Sequence, residues 1–327
     1  MKFFKGLLFI LGVISLSSLT SCNDKSADII ATNYVGYDFA KNICKDTNTT
    51  VSMLLEPGAE IHGYEPSTKD IRNILNSKVF IYVGGESDVE WVEKSILPQI
   101  DKNKTQIVSM FDALSEDDLY EEEEFEDEEE HKHENEEEHE YDEHVWNDYD
   151  NAKMILNAIR DAIIKSDSKN EAKYKENAIN YYNAIEAEQV KLEDLLENKE
   201  EKYMLVADRF PLLYFVKEYD FVYDAALPGC STANETSEKT LIRLRNNVEF
   251  KRLKYIFVIE LSTQNIAKAL KQEIKSDIDK GEYSGVEPEI LTFYSMHNIS
   301  KDDFNKGLTF VDFMKNNYDT LNTYFSE

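Results

Sequence analysis

The sequence predicts an α/β protein of two lobes, each a parallel sheet wound with helices, joined by one long rigid helix. Two observations carry this prediction. Short apolar runs alternate with amphipathic stretches from Asp28 to Met110 and again from Lys202 onward, the pattern of strand–helix units that build parallel sheets. Between these runs lies "NEAKYKENAINYYNAIEAEQVKLEDLLENK", with apolar residues at helical spacing and no glycine or proline. The two alternating runs share no sequence repeat at a fixed period.

The elements follow in chain order. "MKFFKGLLFILGVISLSSLTSC" has two lysines, an apolar run from Gly6 to Leu16, and then small and polar residues. That run is too short to span a bilayer and reads as a signal peptide over residues 1–21. Leu19-Thr20-Ser21-Cys22 resembles a bacterial lipobox, so Cys22 is the expected lipidated N-terminus of the mature chain, followed by a linker over 22–27. Its acyl chains would tether a soluble body to the outer face of the membrane. The first lobe is expected over 28–150. Its strands are "DIIATN", "TVSMLL", "KVFIYVG" and "TQIVSM", and its helices include "GYDFAKNICK", "STKDIRNILN" and "DVEWVEKSIL". Ser67 after Pro66, with Asp70 three residues on, has the spacing of a capping box. Residues 151–199 are helical, comprising most of "DNAKMILNAIRDAIIKSD" and the long connector. The second lobe, 200–327, alternates strands "KYMLVA", "FVYDAAL", "KYIFVIE" and "EILTFYS" with helices, ending in "FVDFMKNNYDTLNTYF".

The charge is concentrated in one place. The chain of 327 residues carries a formal net charge of −29. The segment 116–143 holds 19 acidic residues against one lysine, which leaves −11 for everything else. Such a chain repels nucleic acid and attracts cations. The segment is too charged and too poor in apolar residues to fold alone. The sequence therefore predicts a mobile loop at the mouth of a cleft, leading into the aromatic motif His144-Val145-Trp146.

The chain has six histidines. His131, His133 and His139 lie inside the acidic run and suit weak auxiliary metal ligation. His62, His144 and His297 each follow a predicted strand, as does Asp208, and Glu260 ends one. Ligands of open parallel sheets bind beyond the carboxyl ends of the strands. Imidazoles joined by a carboxylate there form a transition-metal site of the zinc kind.

"TNYVGYDFAKNI", "LLEPGAEIHGYEPSTKDI", "FIYVGG" and "EHVWNDYDNAKMI" resemble the substrate-binding lipoproteins of ABC importers for zinc and manganese, across essentially the whole mature chain. The resemblance implies two α/β lobes joined by one long helix, with a metal held between them. It carries the first two ligands to His62 and His144 and the last to His297. At the third ligand position it places Arg209, which has no acceptor with which to bind a cation. The neighbouring Asp208 is then the candidate, with Glu260, Cys230 or water as alternatives. The resemblance also implies an ABC permease as partner, a lipid-anchored monomer outside the membrane, and Zn2+ as transported ligand. Three histidines favour zinc, while manganese, or iron in a receptor of the same kind, is the alternative.

Cys44 ends the first helix, on the side away from the cleft, and Cys230 lies on the cleft side of the other lobe. No disulfide between them is expected. A secreted zinc hydrolase is the reading from another class. "HEYDEH", His139 to His144, has one residue too many for HExxH, and histidines five apart do not share a helix face. "HENEEEH" fails because Glu137 stands where the second histidine would be needed. A surface adhesin, the remaining alternative, finds no adhesive repeats in the sequence. The expectation is a receptor, not an enzyme.

Overall fold

The computed structural model describes residues 26–59, 64–122, 141–229, 231, 233 and 235–326. In the first lobe the apolar runs form β1 (Ile29–Ala31), β2 (Val51–Met53), β3 (Val79–Tyr82) and β4 (Gln106–Ser109). All pair in parallel, in the order β2-β1-β3-β4. Helix α1 (Tyr34–Ile43) starts where the Asn33 side chain accepts from the Gly36 N–H, and α2 (Thr68–Asn76) starts at the Ser67–Asp70 capping box. The stretch "DVEWVEKSIL" differs from expectation. A helical turn, α3 (Glu86–Asp88), runs directly into a π-helix, Val89–Ile96. Periodicity over so few residues does not separate an α from a π repeat. Here the wider turn buries Val92 and Ile96 and sets Trp91 edge-on to Tyr64, with centroids 5.6 Å apart.

Two helices follow, α4 (Tyr149–Ser166) and α5 (Glu171–Leu196). The long helix is present, but it is not free-standing. It packs along α1, α4 and α10. Its Asn177 amide donates to the carbonyls of Ile43 and Lys45, and its Tyr181 hydroxyl donates to Asp38 on α1.

The second lobe repeats the topology of the first without repeating its sequence. Strands β5 (Tyr203–Phe210), β6 (Val222–Pro228), β7 (Tyr255–Ile259) and β8 (Glu289–Phe293) pair in parallel, in the order β6-β5-β7-β8. Their helices are α6 (Leu213–Glu218), α7 (Glu238–Lys251), α8 (Asn265–Lys280), α9 (Lys301–Lys306) and α10 (Phe310–Phe325). Short α9 was not anticipated, while α10 has the bounds the sequence predicts. Strand β5 continues past Ala207 through a register shift between Val206 and Arg209, which puts Asp208 in an irregular stretch of strand.

One buried apolar cluster runs through both lobes. It contains Ile29 and Val79 of the first sheet, Val206 and Phe257 of the second, and Trp146, Tyr149 and Phe310 between them. Hydrogen bonds cross the same boundary. Tyr34 Oη donates to the Leu308 carbonyl at 2.8 Å, and the Asn147 amide to the Pro211 carbonyl at 2.8 Å. Among the described residues no helix is long and apolar enough to cross a membrane.

Candidate metal centre

Segments that follow β4 of the first sheet and β8 of the second come together, and two imidazoles from opposite lobes meet there. His144 precedes a 3-10 turn, Val145–Asn147, that leads into α4, while His297 follows β8. His144 Nε2 lies 2.9 Å from His297 Nδ1, and the ring centroids are 4.7 Å apart. Trp146 packs edge-on to both rings and donates its indole N–H to the Ser295 carbonyl at 2.8 Å. The indole thereby fixes the spacing of the two loops. Gly229 closes the pair from the second lobe. A Cβ there would stand 3.0 Å from the Phe210 carbonyl and 3.5 Å from His144 Cε1.

His144 is completely buried. Burial pushes its imidazole down, but the Asp142 carboxylate beside it, with Glu143 and Glu122 behind, outweighs this and holds it above the ordinary histidine value. Asp142 Oδ1 lies 3.1 Å from His144 Nδ1 and accepts the His144 backbone N–H at 2.8 Å. A carboxylate on Nδ1 places the proton there and turns Nε2 outward, the arrangement of a metal-ligating histidine. Tetrahedral zinc, with Zn–N bonds near 2.0–2.1 Å, puts two imidazole nitrogens about 3.3 Å apart. The pair needs to widen by roughly 0.4 Å, with the metal replacing the proton shared by the rings.

Glu260 builds the other half. Its carboxylate accepts from Ser295 N at 2.7 Å, Ser295 Oγ at 2.8 Å and His297 N at 3.1 Å. Burial raises its pKa against the lowering effect of these donors. Between Ser295 and His297, Met296 sits in the left-handed region at φ 60°. Such strain in a bulky residue persists only where the surroundings fix it. Glu260 thus holds the loop that presents His297.

The other candidates are distributed as follows. Asp208 accepts from the Ser262 hydroxyl and from the Arg209 backbone N–H, and it lines a small recess with Arg209, Ala233 and Thr263. Arg209 Nη1 donates to the Ser231 carbonyl at 3.4 Å. His62, His131, His133, His139, Cys22 and Cys230 lie outside the described residues. The described residues up to Ala59 are nevertheless tied to the site. The Asn298 amide, one residue past His297, donates to the Ala59 carbonyl at 2.6 Å and the Glu56 carbonyl at 3.3 Å. Cys44 is free and buried, and burial pushes its thiol up to about 12. Among the described residues no cluster of three or more His, Cys, Asp or Glu is gathered as a metal cage.

Sequence reasoning missed Asp142, Trp146 as a spacer, and Asn298. Asp142 stands two residues before a histidine, a usable signal, but 18 other acidic residues in the same segment hid it.

Two parallel α/β lobes of like topology, with imidazoles from each meeting between them, define a bilobal solute-binding protein. The chain belongs to the family described as zinc-uptake complex component A, periplasmic, whose model matches residues 29–324. It is 31% identical over 309 residues to the high-affinity zinc uptake system protein ZnuA of Bacillus subtilis, covering 93% of this chain and 90% of that one. It is 27% identical over 319 residues to the zinc-binding lipoprotein AdcA of Streptococcus pneumoniae, covering 96% of this chain but only 60% of that longer protein. Among solved structures, the fold matches the Zn(II)-bound ZnuA-like domain of Streptococcus pneumoniae AdcA with a TM-score of 0.71 at 21% identity, covering 92% of this chain and all of the other. It also matches the periplasmic zinc-binding protein TroA of Treponema pallidum with a TM-score of 0.71 at 18% identity, covering 91% and 99%.

Proposed function

We propose that this protein is an extracytoplasmic receptor that captures Zn2+ and hands it to an ABC permease. The observation that carries the reading is the His144–His297 pair, two imidazoles from opposite lobes 2.9 Å apart, each loop braced by its own carboxylate. His62 is the third imidazole, three residues past Ala59 in the sequence, whose carbonyl accepts from the Asn298 amide. The fourth position belongs to Asp208 or water, since Glu260 is committed to the His297 loop through three donors. An imidazole-rich set favours zinc over manganese, which leans on carboxylates. Cys22 is the lipid anchor, which keeps the receptor beside its permease. The test is a chelator-competition titration of the soluble form from Asn23 onward with Zn2+ and Mn2+. One tight zinc site that is lost in His144→Ala supports the reading, and manganese binding more tightly than zinc would overturn it.

A further inference from the structure

Glu143 stands between Asp142 and His144 and is almost completely buried, yet it faces away from the metal pair. Its carboxylate enters a socket at the start of the helix that follows β3. Oε1 accepts the Ser87 backbone N–H at 2.6 Å, and Oε2 accepts the Ser87 hydroxyl at 2.7 Å. The socket is shaped for this side chain. A Cβ on Gly85 would fall 2.4 Å from Glu143 Cγ and 2.6 Å from its Oε1. Gly84 takes a positive φ of 98°, and a Cβ there would fall 2.4 Å from Ser109 Oγ. Asp88 fixes this turn from inside by accepting the N–H groups of Val83 at 3.0 Å and Gly84 at 3.1 Å. Gly85 precedes the helix and has no side chain with which to cap it, so Glu143 supplies the capping oxygens from 56 residues beyond Ser87.

We propose that Glu143, seated in the Gly84–Gly85–Ser87 socket, is a positioning residue that fixes the backbone on which Asp142 and His144 meet. The inference rests on the zinc-receptor reading above. The chain before the pair is held at Tyr141 by its bridge to Glu121 and at Asp142 by the Tyr120 carbonyl, and Glu143 is the last side chain that pins it before His144. Two charge-assisted hydrogen bonds to a buried carboxylate are strong enough to do so. Carboxylates that orient ligands from behind change metal affinity by about 10–100-fold when removed.

The test compares wild type, Glu143→Ala, Glu143→Gln, Ser87→Ala and His144→Ala. It reads zinc affinity by chelator competition, the visible spectrum of the Co2+-loaded protein, and the melting temperature of the metal-free protein. Glu143→Ala is expected to weaken zinc about 10–100-fold and to alter the cobalt spectrum. Glu143→Gln, which keeps an acceptor for Ser87, should recover most of both, and Ser87→Ala should fall between. Ser87→Ala removes only one hydroxyl, so it keeps the test open if Glu143→Ala does not fold. Wild-type zinc affinity and cobalt spectrum in both Glu143→Ala and Ser87→Ala overturn the proposal, as does a lower melting temperature with metal binding intact. If His144→Ala leaves binding unchanged, the receptor reading itself has failed, and the positioning role falls with it.

Discussion

At the scale of single residues, the two imidazoles should matter almost equally to zinc binding, though they lean on different carboxylates. If His144 is the ligand proposed above, His144→Ala removes a fully buried imidazole and strands Asp142, so zinc affinity should fall by more than about 100-fold, beyond the loss seen for orienting residues. His297→Ala should do nearly as much. Asp208→Ala discriminates between the remaining ligand choices. A large loss makes Asp208 the fourth ligand. An unchanged titration leaves water in that place and Asp208 as a partner of Ser262 and the Arg209 backbone. The pH dependence has a definite sign. Zinc requires neutral imidazole, and Asp142 holds the His144 pKa above the ordinary histidine value. Affinity should therefore start to fall while pH is still above that value. Asp142→Asn should move the inflection to lower pH. A titration of zinc affinity from pH 5 to pH 8 on both proteins checks this. In the metal-free protein the same shift stabilises the fold below the unfolded histidine pKa, and that contribution is lost as pH rises through the higher folded value.

At the scale of elements, the eight strands and the long helices were legible because apolar alternation survives in short buried runs. "KVFIYVG" became four consecutive buried residues, Val79–Tyr82, and "FVDFMKNNYDTLNTYF" became α10 residue for residue. What escaped depended on tertiary contacts. The π repeat at 89–96 is held by packing of Val92, Ile96 and Trp91, and the Glu143 socket joins segments 56 residues apart. The lengths of the strand-end loops were visible in the sequence, but the Glu260 clamp on His297 was not, since Glu260 had only the standing of an alternative ligand. The acidic segment shows the same division. Its start is packed, for Tyr120 lies against Tyr214 with centroids 5.1 Å apart and accepts the Asp142 N–H at its carbonyl at 2.9 Å. Glu121 and Tyr141 then form an antiparallel bridge, so the described residues that flank 123–140 are adjacent. A short turn can replace those residues without moving His144. Carboxylates and three histidines should collect zinc weakly within about a Debye length of 8 Å. The deletion should thus lower the number of zinc ions bound at high concentration and leave one tight site. Calorimetry checks this: loss of the tight site would place the segment in the primary site, and unchanged stoichiometry would leave it a solvated insertion.

At the scale of the whole molecule, the same contacts that bring the imidazoles together oppose separation of the lobes. A wide hinge opening would expose the shared apolar cluster and break the Tyr34–Leu308, Asn147–Pro211 and Trp146–Ser295 hydrogen bonds. Asp38 adds a buried link. It lies on α1, accepts from Tyr181 of α5 and from the Phe310 N–H at the start of α10, and burial pushes its pKa up to about 7. A folded pKa above the unfolded one of about 4 means that the folded state keeps a proton the unfolded chain has released. Stability should then decline as pH rises from about 4 to about 7, and Asp38→Asn should flatten that slope in denaturant titrations. The interface also bears on metal release. Small tilts and loop rearrangements are enough to widen two nitrogens by a few tenths of an ångström, and α5, packed along α1, α4 and α10, leaves little room for more. A folded body of this size has a radius of gyration of about 19 Å. Zinc should change it by no more than about 1 Å, on the order of 5% of that radius. The measurement is X-ray scattering of the metal-free and zinc-bound forms with residues 123–140 replaced by the short turn, so that the two forms are compared over the two-lobed body. A contraction of several ångströms on adding zinc would show a hinge that this interface does not permit.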